Sequence, residues 1–171
     1  MEFKIGDYVV HPQYGVGQVV KMDERQFEPG TKLRYYEILI PGSTVWVPMD
    51  LSTSGLRRLT VQSEIAHCRK ILEARPLPLT EDVRFRQSSL AARLRQGTIR
   101  AQCEVVRDLY AHGEHRSLNG TIGLLYKAAR DVLCQEWAAV EGVTLAEATR
   151  EIDLLLEKSR HALKESGNQS L

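Results

Sequence analysis

The sequence predicts an α+β protein of two modules, a small β-barrel followed by a compact five-helix bundle. Residues 1–60 contain short runs rich in Val, Ile, Tyr and Trp, separated by turns that contain Pro and Gly. From Val61 onward, apolar residues recur at helical spacing instead. No helical pattern interrupts the strands, which excludes a parallel βαβ arrangement. We therefore expect a barrel domain at 1–60, a helical domain at 61–164 and a frayed tail at 165–171.

Four or five short strands account for the first module. Turn residues at 12–17, 28–30 and 41–42 bound them. The predicted strands are Asp7–His11, Val16–Asp23, Leu33–Ile40 and Thr44–Val47, with a fifth at Gly55–Leu59. So many short strands in so few residues favour a strongly bent barrel over an open sheet.

The second module begins with two helices separated by a proline-rich stretch. The first is predicted over Val61–Ala74, and the prolines within 75–79 end it because proline does not fit in a helix interior. The second is predicted to begin after an N-cap at Thr80 and to run to Gln96, with Gly97 as its stop.

Three further helices complete the bundle. Thr98 caps the third, which is predicted to end at 112–113, and Asn119 caps the fourth. The spacing of Thr144–Glu147 is that of a capping box at the start of the fifth helix. We expect this helix to fray after Lys164.

Composition narrows the class of protein. Hydrophobic residues make up 43% of the 171 residues and charged residues 26%, which supports a folded core and excludes global disorder. No apolar run approaches the roughly 18 residues that span a bilayer, and the N-terminal residues lack the h-region of a signal peptide. Three cysteines, an odd number, do not predict a disulfide framework. We expect a cytoplasmic protein, without a membrane partner, that is monomeric when free.

A basic segment is hidden within a net charge of +1. The range 83–103 has no acidic residue and contains five arginines: Arg84, Arg86, Arg93, Arg95 and Arg100. A local basic block in a near-neutral protein indicates a directed contact with an anionic partner.

The second predicted helix carries most of this block, and its 100° spacing sorts the side chains. One narrow stripe is predicted to face the core: Val83, Leu90 and Leu94. Four arginines flank it: Arg86 and Arg93 on one side, Arg84 and Arg95 on the other. Phe85 lies nearly opposite the stripe, so an apolar ring is predicted among cations, as on a nucleic-acid-binding surface. The alternative is a solvated charged face with Phe85 buried by a neighbouring helix.

Trp46 is the candidate for a protein contact in the first module. It lies between Val45 and Val47, so strand alternation places its ring on the opposite face from the two valines. Pro48 then marks a strand end or a sheet edge. An exposed Trp on an edge strand is typical of a binding hot spot. The alternative is that Trp46 covers the open end of the barrel.

The sequence contains no catalytic constellation. His67 and Cys68 are helix neighbours that point about 100° apart, so they cannot form a nucleophile–base pair. His112 and His115 lack two further ligands at suitable spacing, so no metal site is predicted. We expect neither an enzyme nor a cofactor.

Several segments together resemble the CarD/CdnL family of bacterial regulators that bind RNA polymerase. In the first module they are Phe3–Pro12, Tyr14–Gly17, Tyr35–Tyr36, Val47–Pro48 and Ser54–Arg57. In the second they are Gly97, Glu104–Tyr110 and Lys127–Arg130. The resemblance spans both modules in order and spacing, and it includes an N-terminal module that is shared with the transcription-repair coupling factor.

The resemblance implies a Tudor/SH3-like barrel that docks on the RNA polymerase β subunit through a strand edge. It also implies a helical module that touches promoter DNA beside the melted region and stabilises the open complex. We predict that Arg25 and Trp46 bind the polymerase. The residues predicted to contact DNA, without base specificity, are Arg84, Phe85, Arg86, Arg93 and Arg95. The alternative is an adaptor tethered to the polymerase, whose helical module binds a protein rather than DNA.

Two positions depart from the family pattern. The family has a Trp fourteen residues before the helix-ending glycine, and this Trp wedges into the minor groove; counting back from Gly97 gives Val83. Its helical angle predicts that Val83 is buried, which leaves Phe85 as the candidate wedge. The apolar segment Ile122–Leu124, charged in the family, is a candidate for an added contact surface.

Overall fold

The computed structural model of the protein describes residues 2–50, 55–115, 118 and 120–167. The chain divides into two compact units, Met1–Leu59 and Thr60–Leu171. The described part of the first unit is built of strands and that of the second of helices, which confirms the predicted α+β class.

The first unit is an antiparallel sheet whose described strands are β1 (Tyr8–His11), β2 (Gly15–Glu28), β3 (Thr31–Ile40), β4 (Ser43–Pro48) and β5 (Arg57–Arg58). Their order in the sheet is β4-β3-β2-β1-β5. The expectation of a closed barrel is therefore corrected: across the described residues β4 and β5 lie at opposite edges and do not pair. The two-residue β5 pairs only with β1 and is too short to bridge the sheet ends.

One face of this sheet carries the core of the unit. Seven side chains are buried there: Phe3, Val9, Val19, Tyr36, Ile38, Val47 and Leu56. The β2–β3 hairpin extends beyond this core to a turn at Gly30, whose φ of +92° favours glycine. The extension was not predicted, because side chains such as Glu24, Arg25 and Gln26 are exposed and show no apolar alternation.

The described residues of the second unit form five helices, as predicted: α1 (Gln62–Glu73), α2 (Val83–Arg95), α3 (Ile99–His115), α4 (Gly120–Glu141) and α5 (Leu145–Gly167). Helix α3 continues past the predicted end at 112–113, and α5 continues three residues past Lys164. The predicted cap Asn119 and residues 168–171 lie outside the described residues.

Two clusters of apolar side chains hold these helices together. The larger draws on α1, α3, α4 and α5 and surrounds Trp137, which is fully buried. The smaller joins Leu90 of α2 to Val105 and Leu109 of α3 and to Ile122 of α4. The three cysteines are buried free thiols within the larger cluster. In the described part of the chain, no helix has the length and apolarity that crossing a membrane requires.

Local capping fixes where the helices begin. The predicted box is present in α5, where the Thr144 N–H donates to the Glu147 carboxylate at 2.8 Å and the Glu147 N–H donates to Thr144 Oγ1 at 3.2 Å. Helix α2 begins later than predicted, because Asp82 rather than Thr80 is its N-cap. The Phe85 N–H donates to Asp82 Oδ1 at 2.8 Å.

Candidate protein and nucleic-acid interfaces

Trp46 lies on the outer face of an edge strand. Its side chain is 48% exposed, whereas the neighbouring Val47 is 2% exposed and belongs to the core. The predicted alternation along β4 is therefore present, and β4 is a sheet edge as Pro48 indicated. The indole is exposed at the surface, and among the described residues the outer edge of the strand that carries it pairs with no further strand.

Arg25 stacks on this ring. Its guanidinium carbon lies 4.9 Å from the centroid of the Trp46 ring, which is a cation–π contact. Asp23 steadies the arginine, with a carboxylate oxygen 3.7 Å from Arg25 Nε. The Lys21 ammonium hydrogen-bonds to Asp23 and lowers the pKa of that carboxyl. The structure thus brings together the two residues predicted to bind the polymerase, in one patch that we call the Trp46 patch (Asp23, Arg25 and Trp46).

The first turn of α2 is exposed. Phe85 is 66% exposed, as predicted, and Arg84 is exposed beside it. Val83 is 55% exposed, so the prediction that it is buried is wrong. Val83 shares its helical angle with Leu90, but it lies two turns earlier, before the packed part of α2 begins.

Arg86 begins the packed part of α2 and is 8% exposed. Its Nε donates to the carbonyl of Thr80 at 2.8 Å and its Nη2 to the carbonyl of Glu81 at 2.9 Å. Arg86 precedes Leu90 by four residues, so its aliphatic stem covers the same side of the helix. Its guanidinium folds back onto the proline-rich segment at 75–81, which connects α1 to α2. The sequence had placed Arg86 at the edge of the stripe as a DNA contact.

Arg93 is also held within the unit. Its guanidinium donates to the carboxylate of Asp108 at 3.0 Å and to that of Glu104 at 3.2 Å, and its side chain is 22% exposed. Arg93 therefore ties α2 to α3 instead of presenting its donors to solvent.

Arg84 and Arg95 are the exposed arginines of α2. Within the described ranges, neither has an ion pair or a side-chain hydrogen bond. They are eleven residues apart on one flank of the helix, about 16 Å along its axis. With Phe85 they form the group that we call the α2 surface (Arg84, Phe85 and Arg95).

Asp108 anchors α2, and sequence reasoning did not single it out. Its side chain is fully buried. It accepts hydrogen bonds from Arg93, from Arg107 at 2.9 Å and from the backbone N–H of Leu77 at 3.0 Å. Asp108 follows the buried Val105 by three residues and precedes the buried Leu109, and this position of a charge between two core residues was the available signal.

Potential ligands for a metal ion do not gather in the described residues: no group of three or more His, Cys, Asp or Glu side chains is placed to hold one. The buried Cys68 and Cys103 hydrogen-bond to each other, and burial raises the pKa of the Cys103 thiol. Both thiols belong to the larger core cluster of the helical unit.

Comparison with known proteins adds to this geometry. Residues 3–60 match the family described as CarD-like/TRCF RID domain, and residues 67–153, about half of the chain, match the family described as CarD, C-terminal domain. The chain is also similar to a Bacillus subtilis (strain 168) protein named "Putative transcription factor YdeB". The two are 28% identical over 149 residues, which cover 83% of this chain and 94% of the relative.

Proposed function

The chain belongs to the CarD family of transcription regulators, which are not enzymes, and on this premise we propose how its two units divide the work. The β unit docks on the β subunit of RNA polymerase through the Trp46 patch. The helical unit contacts promoter DNA through the α2 surface, without strong sequence specificity. Together they alter the stability of the open complex.

The observation that carries the docking proposal is the arginine-capped tryptophan on an edge strand. An aromatic ring flanked by a held cation is typical of binding hot spots, since both groups lose little conformational freedom on association. The outer edge of β4, which no strand of the described residues pairs with, adds backbone donors and acceptors for a partner strand.

The first test is binding of the full chain to RNA polymerase. Trp46→Ala is expected to weaken binding by about 1–3 kcal/mol, because a hot-spot ring is lost. The matched control is Tyr8→Ala, which removes an aromatic side chain of similar exposure from β1, a strand that β2 and β3 separate from β4. Tyr8→Ala should bind RNA polymerase with the same affinity as the parent protein. Loss of folding in Trp46→Ala, seen by circular dichroism, would instead show that the ring is structural.

The DNA proposal depends on cations without internal partners. Within the described residues Arg84 and Arg95 meet this condition, and Phe85 supplies an exposed ring beside Arg84, whereas Arg86 and Arg93 are left out because their guanidiniums are engaged within the unit. Contacts of this kind recognise phosphate and do not read base edges.

The second test is the salt dependence of DNA binding by fluorescence anisotropy. Affinity falls as the salt concentration rises, and each phosphate contact makes the slope of log affinity against log salt concentration steeper by about 0.9. Arg84→Ala and Arg95→Ala should each lower that slope by roughly this amount, equally for unrelated DNA sequences. Arg100→Ala is the matched control, because the guanidinium of Arg100 is already paired with Glu64 at 2.7 and 2.9 Å. Its slope should not change.

One observation favours the adaptor alternative. With Arg86 and Arg93 engaged internally, fewer cations of α2 remain for DNA, while Leu77, Val83 and Leu124 are more than half exposed. An adaptor would bind DNA weakly and show the same salt slope in Arg84→Ala as in the parent. That result would indicate that the helical unit binds a protein and not DNA.

A further inference from the structure

The helical unit contains a cleft of about 670 Å³ that the proposed contacts leave unused. It lies between the proline-rich connector at 75–81, the second half of α3 and the end of α5. Its apolar lining is formed by Pro76, Leu77, Leu79, Ala111 and Leu163. This volume is that of a small-molecule site, and such sites combine apolar walls with a few placed polar groups.

Arg86 supplies the polar group. It lines the cleft, it is 92% buried since its exposed fraction is 8%, and its hydrogen bonds go to two neutral carbonyls. In the described part of the chain no carboxylate lies within ion-pair distance of it. A buried cation normally pairs with an anion, because burial without one is costly. Arg86 also keeps donors beyond the two that it uses, since a guanidinium has five N–H groups.

The remaining charges around the cleft do not neutralise Arg86. Asp108 lines the cleft, but its buried carboxylate is engaged by Arg93 and Arg107. Arg75 is exposed at the rim and, within the described ranges, makes no ion pair. The Glu81 carboxylate is also at the rim and is not within ion-pair distance of Arg86.

We infer that this cleft binds a small amphipathic anion, which has an apolar body and a carboxylate or phosphate head group. The head group pairs with Arg86 and Arg75, and the body lies along the leucines of the connector and of α5. Such a ligand would fasten the connector to α2 and α3. The inference goes beyond the proposed function and uses none of the residues of the α2 surface.

Calorimetry with four probes and the full chain tests the required chemistry. Decanoate has both features, decanol has the apolar body alone, and acetate has the head group alone. Decanoate should bind at least tenfold more tightly than either of the others, because a buried cation and an apolar wall both contribute. Decyl phosphate completes the set: tighter binding than decanoate assigns a phosphate head group, and weaker binding assigns a carboxylate.

Variants then locate the site. Arg86→Gln should weaken decanoate binding at least tenfold and leave decanol unchanged, and Arg86→Lys should restore part of the decanoate affinity. Arg75→Gln, at an exposed position, should weaken decanoate binding even if the Arg86 variants do not fold. Arg84→Gln is the matched control on the same helix and should bind as the parent does.

Amide chemical shifts in a decanoate titration complete the test. They should change at Leu79, Ala111 and Leu163. Equal affinities for decanoate and decanol would overturn the inference. So would the absence of saturable binding at millimolar decanoate. Shift changes confined to a second, more open groove, which residues between 145 and 157 of α5 line, would also overturn it.

Discussion

Arg25 of the β unit and the two internally bonded arginines of α2, Arg86 and Arg93, contact different kinds of partner. Arg25 lies over the face of Trp46, at the surface, with its side chain 45% exposed. Arg86 and Arg93 meet carbonyl and carboxylate oxygens, which take up their N–H donors. An aromatic face attracts the charge but accepts nothing at the edge of the guanidinium, so most of the donors of Arg25 remain available to a partner.

This difference shows that the arginines of a basic helix do not all belong to one binding surface. An arginine whose N–H groups donate to oxygens of its own unit connects parts of that unit. An arginine that packs on an aromatic ring or faces solvent keeps its donors for a binding partner. On α2 this division separates Arg84 and Arg95 from Arg86 and Arg93. Three pairs of substitutions sharpen or break this comparison, and they follow in order of expected effect.

Asp108→Ala is expected to have the largest effect. It removes the carboxylate that Arg93 and Arg107 share and that accepts the Leu77 N–H, so two guanidiniums are left without their buried partner. The free energy of unfolding should fall by about 3–5 kcal/mol. Urea denaturation followed by helical circular dichroism measures this loss.

Asp131 provides the control for that experiment. It is an exposed aspartate in the middle of α4, so Asp131→Ala should change the free energy of unfolding by less than about 0.5 kcal/mol. A loss below about 1 kcal/mol in Asp108→Ala would mean that Arg93 and Arg107 find other partners. The distinction between linking and binding arginines would then fail.

Arg86→Ala against Arg84→Ala compares two arginines two residues apart on one helix. Arg86→Ala leaves the carbonyls of Thr80 and Glu81 without their donor and should cost about 1–3 kcal/mol of stability. Arg84→Ala should be neutral within about 0.5 kcal/mol, since its side chain is exposed. Equal costs in urea denaturation would show that exposure does not separate the two roles.

Periodicity in the sequence predicted the elements and the exposed ring of the β unit. Because side chains alternate along β4, the burial of Val47 is enough to place the neighbouring Trp46 ring on the exposed face of the strand. The capping box at Thr144–Glu147 and the stop at Gly97, with a φ of +67°, follow from local chemistry alone. Such features involve neighbours in the chain, which is why they were predictable.

Features that depend on distant partners were not predictable in the same way. An angle on a helical wheel says where a side chain starts, but an arginine is long enough to fold its charge back onto the backbone, as Arg86 does. The exposure of Val83 depends on where the neighbouring helices stop. The open sheet depends on the shortness of β5, which pairs with β1 through two residues.

Val83→Trp is expected to have the smallest effect on stability. The helical angle alone predicted that Val83 is buried, and an indole at a buried position would overpack the core. Val83 is instead 55% exposed, so an indole there meets solvent. The free energy of unfolding should change by less than about 0.5 kcal/mol. If the first turn of α2 faces promoter DNA, the ring at this position should lengthen the lifetime of the open complex, because an inserted aromatic side chain holds an unstacked base step open.

Phe85→Ala is the partner of that experiment, measured in the same open-complex decay assay. It removes the ring now exposed in that turn, so the lifetime should shorten while binding to polymerase stays unchanged. A longer lifetime in Val83→Trp together with a shorter one in Phe85→Ala would mean that both positions reach the DNA. An unchanged lifetime in both variants would show that the first turn of α2 does not contact DNA. The exposed Arg84 would then be assigned to a contact with a protein, as in the adaptor alternative.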